Sequence, residues 1–89
     1  MKIKGEYIMR EIMDETILVP VGETAIHFNG LISLDPVGAF IWKLLECGKT
    51  EDEILTAILE EFEVSEDVAQ RDMEKFLEEL MNQGLLGNK

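Results

Sequence analysis

The chain holds one histidine, His27, and one cysteine, Cys47. A structural zinc site needs about four nitrogen or sulfur donors at suitable spacing, so no protein-only zinc centre is expected. Cys47 is also the only thiol nucleophile, and such a group needs a base within reach. His27 falls in a different element with no motif around it, so Cys47 reads as structural or incidental. His27 itself, set against Ala25 and Phe28 in a strand alternation, reads as solvent-facing. The nineteen acids are the remaining candidates. Catalytic carboxylates need a cleft that drives their pKa values apart, whereas Glu60, Glu61, Glu63, Glu74, Glu78 and Glu79 fall on outer helix faces. The seven glycines are scattered over turns and termini, so no phosphate-cradling loop is present. The expectation is a protein without catalytic activity and without a cofactor.

Charge narrows the partners. Eight Lys and Arg stand against nineteen acids, a formal net charge of −11. A nucleic-acid binder must neutralise phosphates with cations, and this chain would be repelled by DNA, RNA and anionic lipid over most of its surface. No run of about 18 apolar residues exists to span a membrane. The opening "MKIKGEYIMREI" has no signal-peptide core. A single cysteine forms no intramolecular disulfide and fits a reducing compartment. Cytoplasmic residence is therefore expected. With 89 residues, 46% hydrophobic and 30% charged, the chain reads as one folded domain over residues 1–89.

The elements that must position any site follow from pattern. "YIMREIM" and "ETILVPV" are short β-rich runs separated by Asp14-Glu15, a hairpin pattern. Ile17, Val19 and Val21 share one face of the second run. Pro20, which lacks a ladder N–H, marks an edge or a strand end. "AIHF" and "LISL" flank Asn29-Gly30, a strong hairpin signal, and lead to a third strand at Leu31 to Leu34. Strands are thus expected over about 6–34.

Helices are expected over about 36–47, 51–63 and 66–83. Asp35 caps the first and Pro36 fits its first turn. Val37, Phe40, Ile41, Leu44 and Leu45 make its apolar stripe, and Gly48 supplies the exit. Thr50 with Glu53 forms a capping box for the second helix, whose buried face is Ile54, Leu55, Ile58, Leu59 and Phe62. Ser65, Glu66 and Asp67 open the third, lined inside by Ala69, Met73, Phe76, Leu77, Leu80 and Met81 and ended by Gly84. The two leucines of "LLGNK" are expected to fold back on the core. Strands followed by a tight helix-turn-helix describe an α+β, winged helix-turn-helix-like domain: an N-terminal three-stranded antiparallel β-sheet and then three α-helices. The would-be recognition helix carries six acids against Arg71 and Lys75, which argues against reading DNA.

Two features remain. Trp42 lies off its helix's main stripe; its ring either covers the sheet or a neighbouring helix, or anchors a partner. Arg71 and Lys75 are spaced i, i+4. They either pair within the helix, Arg71 with Asp67 and Lys75 with Glu78 or Glu79, or form a small cationic stripe for a carboxylate.

The order of these features resembles a known family. "LISLDPVGAFIWKLLECGKTEDEI" followed by "VAQRDMEKFLEELMNQGLL" is similar to the PqqD-like proteins, also called RiPP recognition elements. The resemblance rests on Asp35, Gly38, Ala39, Ile41, Trp42, Gly48 to Thr50, Asp72, Phe76, Leu77, Leu80, Gly84, Leu85 and Leu86. The "YIMREI" and "ETILVPVG" runs look like the family's first two strands. Asp35 stands where Asn is usual. The resemblance implies a peptide-binding module that holds the leader of a ribosomally synthesised precursor peptide and delivers it to a modifying enzyme, often a radical S-adenosylmethionine enzyme. The leader would add as a strand beside the third strand, against the third helix. Carried onto this chain, the binding residues would be Phe28, Leu31, Ile32, Ser33, Leu34 and Phe76, with Arg71 and Lys75 for an acidic leader residue. The competing reading is an acidic winged-helix scaffold or regulatory subunit that binds a protein partner without a leader. A free edge strand can also pair with itself, so both a monomer and a homodimer are open.

Overall fold

A computed structural model describes residues 2–27 and 30–87. A two-residue strand, β1 (Lys2–Ile3), leads into the hairpin of β2 (Tyr7–Ile12) and β3 (Glu15–Pro20), which pair antiparallel from Tyr7 opposite Pro20 to Ile12 opposite Glu15. This register makes Met13-Asp14 the two-residue turn, one position earlier than the sequence suggests. Both residues sit at positive φ, 50° and 69°, the signature of a type I′ turn whose twist matches the strands. Pro20 does end its strand.

The connection after β3 departs from expectation. Residues Glu23–His27 form a short helix, α1, rather than the "AIHF" strand of a hairpin. Gly22 at φ +60° turns the chain out of the sheet. The Ala25 N–H then donates to the Gly22 carbonyl at 3.2 Å, and the Glu6 N–H donates to Thr24 Oγ1 at 2.7 Å. The segment is thereby tied to the loop before β2. The Asn29 turn and Phe28 lie outside the described residues. β4 (Ile32–Leu34) pairs antiparallel with β3, Leu18 opposite Ile32 and Thr16 opposite Leu34. The strand order is β2-β3-β4.

Three longer helices follow: α2 (Pro36–Glu46), α3 (Glu51–Glu61) and α4 (Glu66–Asn82). Their starts are set by the expected caps. Asp35 Oδ1 accepts from the Gly38 N–H at 2.7 Å, Thr50 and Glu53 exchange both bonds of a capping box, and Ser65 Oγ accepts from the Val68 N–H. The final strand, β5 (Leu86–Gly87), pairs with β1 in a second, two-stranded sheet that the sequence does not announce. It carries Leu85 and Leu86 into the core.

The core lies between one face of the sheet and the helices. Leu18 and Leu34 contribute from the sheet, Ile41, Trp42 and Leu45 from α2, Ile54 and Ile58 from α3, and Ala69, Met73, Leu77 and Leu80 from α4. Trp42 is a core residue, 1% exposed, with its ring edge-to-face on Tyr7 at 5.8 Å. Its indole N–H is buried without an acceptor among the described residues. Leu59 and Met81, assigned to buried stripes by spacing, stay exposed at the margins.

Truncating Trp42→Ala should cost about 3–5 kcal/mol, the range for emptying a large core site. Trp42→Phe should cost well under half of that, because it removes an unsatisfied donor along with part of the ring. Denaturant midpoints at unchanged slope would measure both. A second expectation concerns acid. The hydrogen bonds from Thr50 hold the Glu53 carboxyl below its ordinary value of 4.5. A depressed carboxylate contributes stability that is complete above the unfolded value and is lost as pH falls through the lowered one. The Glu53 side-chain NMR titration should therefore have its midpoint below 4.5, and Glu53→Gln should flatten the acid limb of the stability curve.

Candidate functional site

β4 is an edge strand: β3 occupies one side and, among the described residues, no strand occupies the other. Its backbone therefore offers unmade hydrogen bonds along three residues. Facing that free side is α4. Residues 32–35 on one flank and Phe76, Glu79, Leu80 and Gln83 on the other enclose a groove of about 110 Å³. Beyond Asp35 it opens into a hollow of about 220 Å³ where the start of α2 meets α4, with Val37, Gly38, Ile41 and Phe76 among its walls and Asp72 and Lys75 at its margin. The two spaces share Asp35, Phe76 and Glu79. They make one channel along α4 from Gln83 to Asp72. Eleven residues of helix rise about 16 Å, the length of about five extended residues.

Local chemistry explains this shape. The Asp35 cap and Pro36 turn the chain sharply out of β4 into α2, so the strand stops after Leu34 and the helix starts beside it. Gly38 then brings α2 close to α4. A Cβ built there would lie 3.1 Å from both Phe76 Cε1 and Asp35 Oδ1. The glycine is needed for this close approach, and its absence of a side chain lets the Phe76 ring lie against the backbone at the centre of the channel.

The residues expected to bind a peptide divide into three sets. Ile32, Ser33 and Leu34 form β4 and border the groove together with Phe76, and Leu31 precedes them, 62% exposed. Ile32 and Leu34 turn inward as half-buried and buried side chains, whereas Ser33 faces out, its Oγ 3.4 Å from Glu15 Oε1. Lys75 borders the hollow. Arg71 does not line it: it lines an adjoining depression along α4 with Glu74, Lys75, Glu78, Glu79 and Asn82. Neither Arg71 nor Lys75 makes an ion pair with its helical neighbours among the described residues. Phe28 lies outside the described residues. Sequence reasoning did not place Asp35, Val37, Gly38, Asp72, Glu79 and Gln83 among the binding residues. The signal available was their spacing, since Asp72, Phe76, Glu79 and Gln83 follow one another at helical intervals along one stripe of α4.

Elsewhere the chemistry is sparse. His27 sits on α1 at the rim of a separate hollow with Lys4, Tyr7, Glu23 and Thr24, and burial pushes the Tyr7 phenol up. Cys47 is an exposed free thiol. Among the described residues, no group of three or more His, Cys, Asp or Glu is placed to hold a metal ion. No helix there is long and apolar enough to cross a membrane.

Two comparisons bear on the groove. The family model described as coenzyme PQQ synthesis protein D (PqqD) matches residues 15–86. A solved structure, TbiB1 in complex with the TbiA(beta) leader peptide, resembles this one with a TM-score of 0.78 at 36% sequence identity, covering 100% of this chain and 98% of that one. No curated protein matches the chain.

Gly38→Ala tests the close approach. Relief of glycine's helix penalty, about 1 kcal/mol, opposes crowding of about 1–3 kcal/mol against Phe76 and Asp35. The thermal midpoint should therefore fall only slightly, while the Phe76 ring resonances move as the ring is pushed into the channel. Unmoved ring resonances would show that the contact is loose.

Proposed function

The chain belongs to the PqqD family, and from that premise we propose that it is a non-catalytic module. It binds the leader segment of a ribosomally synthesised precursor peptide by strand addition at β4 and delivers it to a modifying enzyme. The observation that carries the reading is the free edge of β4 set against α4, with a channel running along both. The full-length likeness to a protein solved with a leader peptide supports it.

Magnitudes say how such a groove must work. A three-residue edge offers about three backbone hydrogen bonds, each worth about 1 kcal/mol net. Association costs at least about 4 kcal/mol in lost freedom. Backbone pairing alone therefore orients the peptide without holding it. The remainder must come from side chains entering the channel, where burying one Leu-sized group yields about 1.5–3 kcal/mol. Strand addition sets direction and register, and the α4 wall selects the sequence. Ile32, Ser33 and Leu34 supply the edge, with Leu31 at its entrance. Phe76 is the apolar contact on the wall, and Lys75 a contact at its margin.

The test is an amide-resolved NMR titration with peptides encoded by the reading frame beside this protein's gene. The expected result is shift changes concentrated on residues 31–34 and α4, with slowed amide exchange along β4. Ile32→Pro should abolish that binding while the helical circular dichroism is kept. Full binding by a folded Ile32→Pro protein, or shifts confined to another face, would remove strand addition at this edge.

A further inference from the structure

The charge of this protein is distributed unevenly. Residues 51–82, which span α3, the connecting turn and α4, carry twelve acids against Arg71 and Lys75, a net −10 of the chain's formal −11. The α4 wall of the peptide channel belongs to this acidic half. Among the described residues, Asp35, Asp72 and Glu79 stand along the channel with Lys75 as the one cation, a net −2. Asp72 and Glu79 are exposed, and neither makes an ion pair among the described residues. On the opposite flank β4 presents only neutral side chains, Ile32, Ser33 and Leu34.

On the reading of the groove given above, we infer that the bound segment is basic: it carries Lys or Arg where it passes Glu79 and Asp72 on either side of Phe76. The commitment is opposite in sign to a carboxylate held by Arg71 and Lys75, because Arg71 does not line the channel and Lys75 is outnumbered there. Two physical effects operate together. At long range, the field of the acidic helices draws a cationic segment toward the channel and speeds encounter. At short range, a carboxylate at each end of the Phe76 contact disfavours an acidic side chain at those positions and so discriminates among peptides of similar apolar pattern. The cations of the bound segment would alternate with outward-facing residues, since only every second side chain of an added strand turns toward α4.

The experiment separates this local assignment from general attraction to an acidic protein. A randomised twelve-residue peptide library is displayed and selected on the full chain, and the winners are synthesised. Their affinities are measured for the wild type and for two double variants, Asp72→Lys/Glu79→Lys and Glu60→Lys/Glu61→Lys. All four positions are exposed, so both variants should fold, and both raise the formal net charge from −11 by the same amount. The expected result is winners enriched in Lys and Arg. Their affinity should fall on the order of tenfold in the Asp72/Glu79 variant and change far less in the Glu60/Glu61 variant, with salt weakening the wild-type complex. Equal weakening in both variants would overturn the assignment to Asp72 and Glu79. Winners without basic bias that still perturb the β4 amides would overturn the charge inference and leave strand addition standing. No winners from a folded sample would overturn both.

Discussion

The joint between β4 and α2 is the constraint on which the rest of this structure depends. Leu34 is buried and fixes the end of the strand against the core. One residue later the Asp35 carboxylate takes the Gly38 N–H and Pro36 commits the backbone to helix. Because the reversal is so tight, β4 cannot lengthen, and α2 is launched directly alongside it. Gly38, two residues past Pro36, is where α2 meets Phe76 of α4. Strand edge, helix start and helix wall are thereby brought to one place by the few residues from Leu34 to Gly38. A looser connection would let α2 drift and the channel lose its far end.

Trp42 shows how the same helix can serve both sides. Its indole closes the core under Tyr7 at the cost of an N–H without an acceptor among the described residues, while Val37 and Gly38 on the first turn border the channel. An interior this dependent on one large ring holds α2 rigidly, and rigidity on the α2 side is what a shallow channel needs. An added strand gains little from each backbone bond, so any motion of the wall would consume the small surplus that remains.

Much of the fold was legible in the sequence because short-range chemistry encodes it. The three caps, the Gly48 and Gly84 exits and the helix stripes depend on residues three or four apart, and apart from Leu59 and Met81 at the stripe margins they appear where they were expected. The elements that were not legible are those too short to have a period. Five residues of α1 cannot establish a 3.6-residue repeat, and the neighbouring Asn-Gly pair argued for a hairpin, yet β4 pairs back to β3. The pairing of β1 with β5 joins two dipeptides from opposite ends of the chain, which only the tertiary fold brings together. Met13 at positive φ has no local signal at all. In the site, the strand edge and Phe76 were pointed to by the family resemblance, and the structure brings them to one groove. The acids beside Phe76 were not, since an exposed Glu on a solvated face and one on the rim of a groove look alike until the facing strand is in place.

That last ambiguity bears on how a strongly acidic chain should be read. Spread evenly, eleven excess negative charges would describe little beyond solubility. Here ten of them belong to two adjacent helices and the turn between them, and one of those helices forms a wall of the open strand edge. An edge strand left free invites pairing with any extended chain, including a second copy of itself. By like-charge repulsion, acid along that edge disfavours both a second copy of the channel and acidic segments. The same charges that would repel phosphate backbones thus count against pairing of the strand with other acidic chains. On the proposed reading, the same repulsion would leave the hydrogen bonds of this short edge to a peptide of the complementary sign.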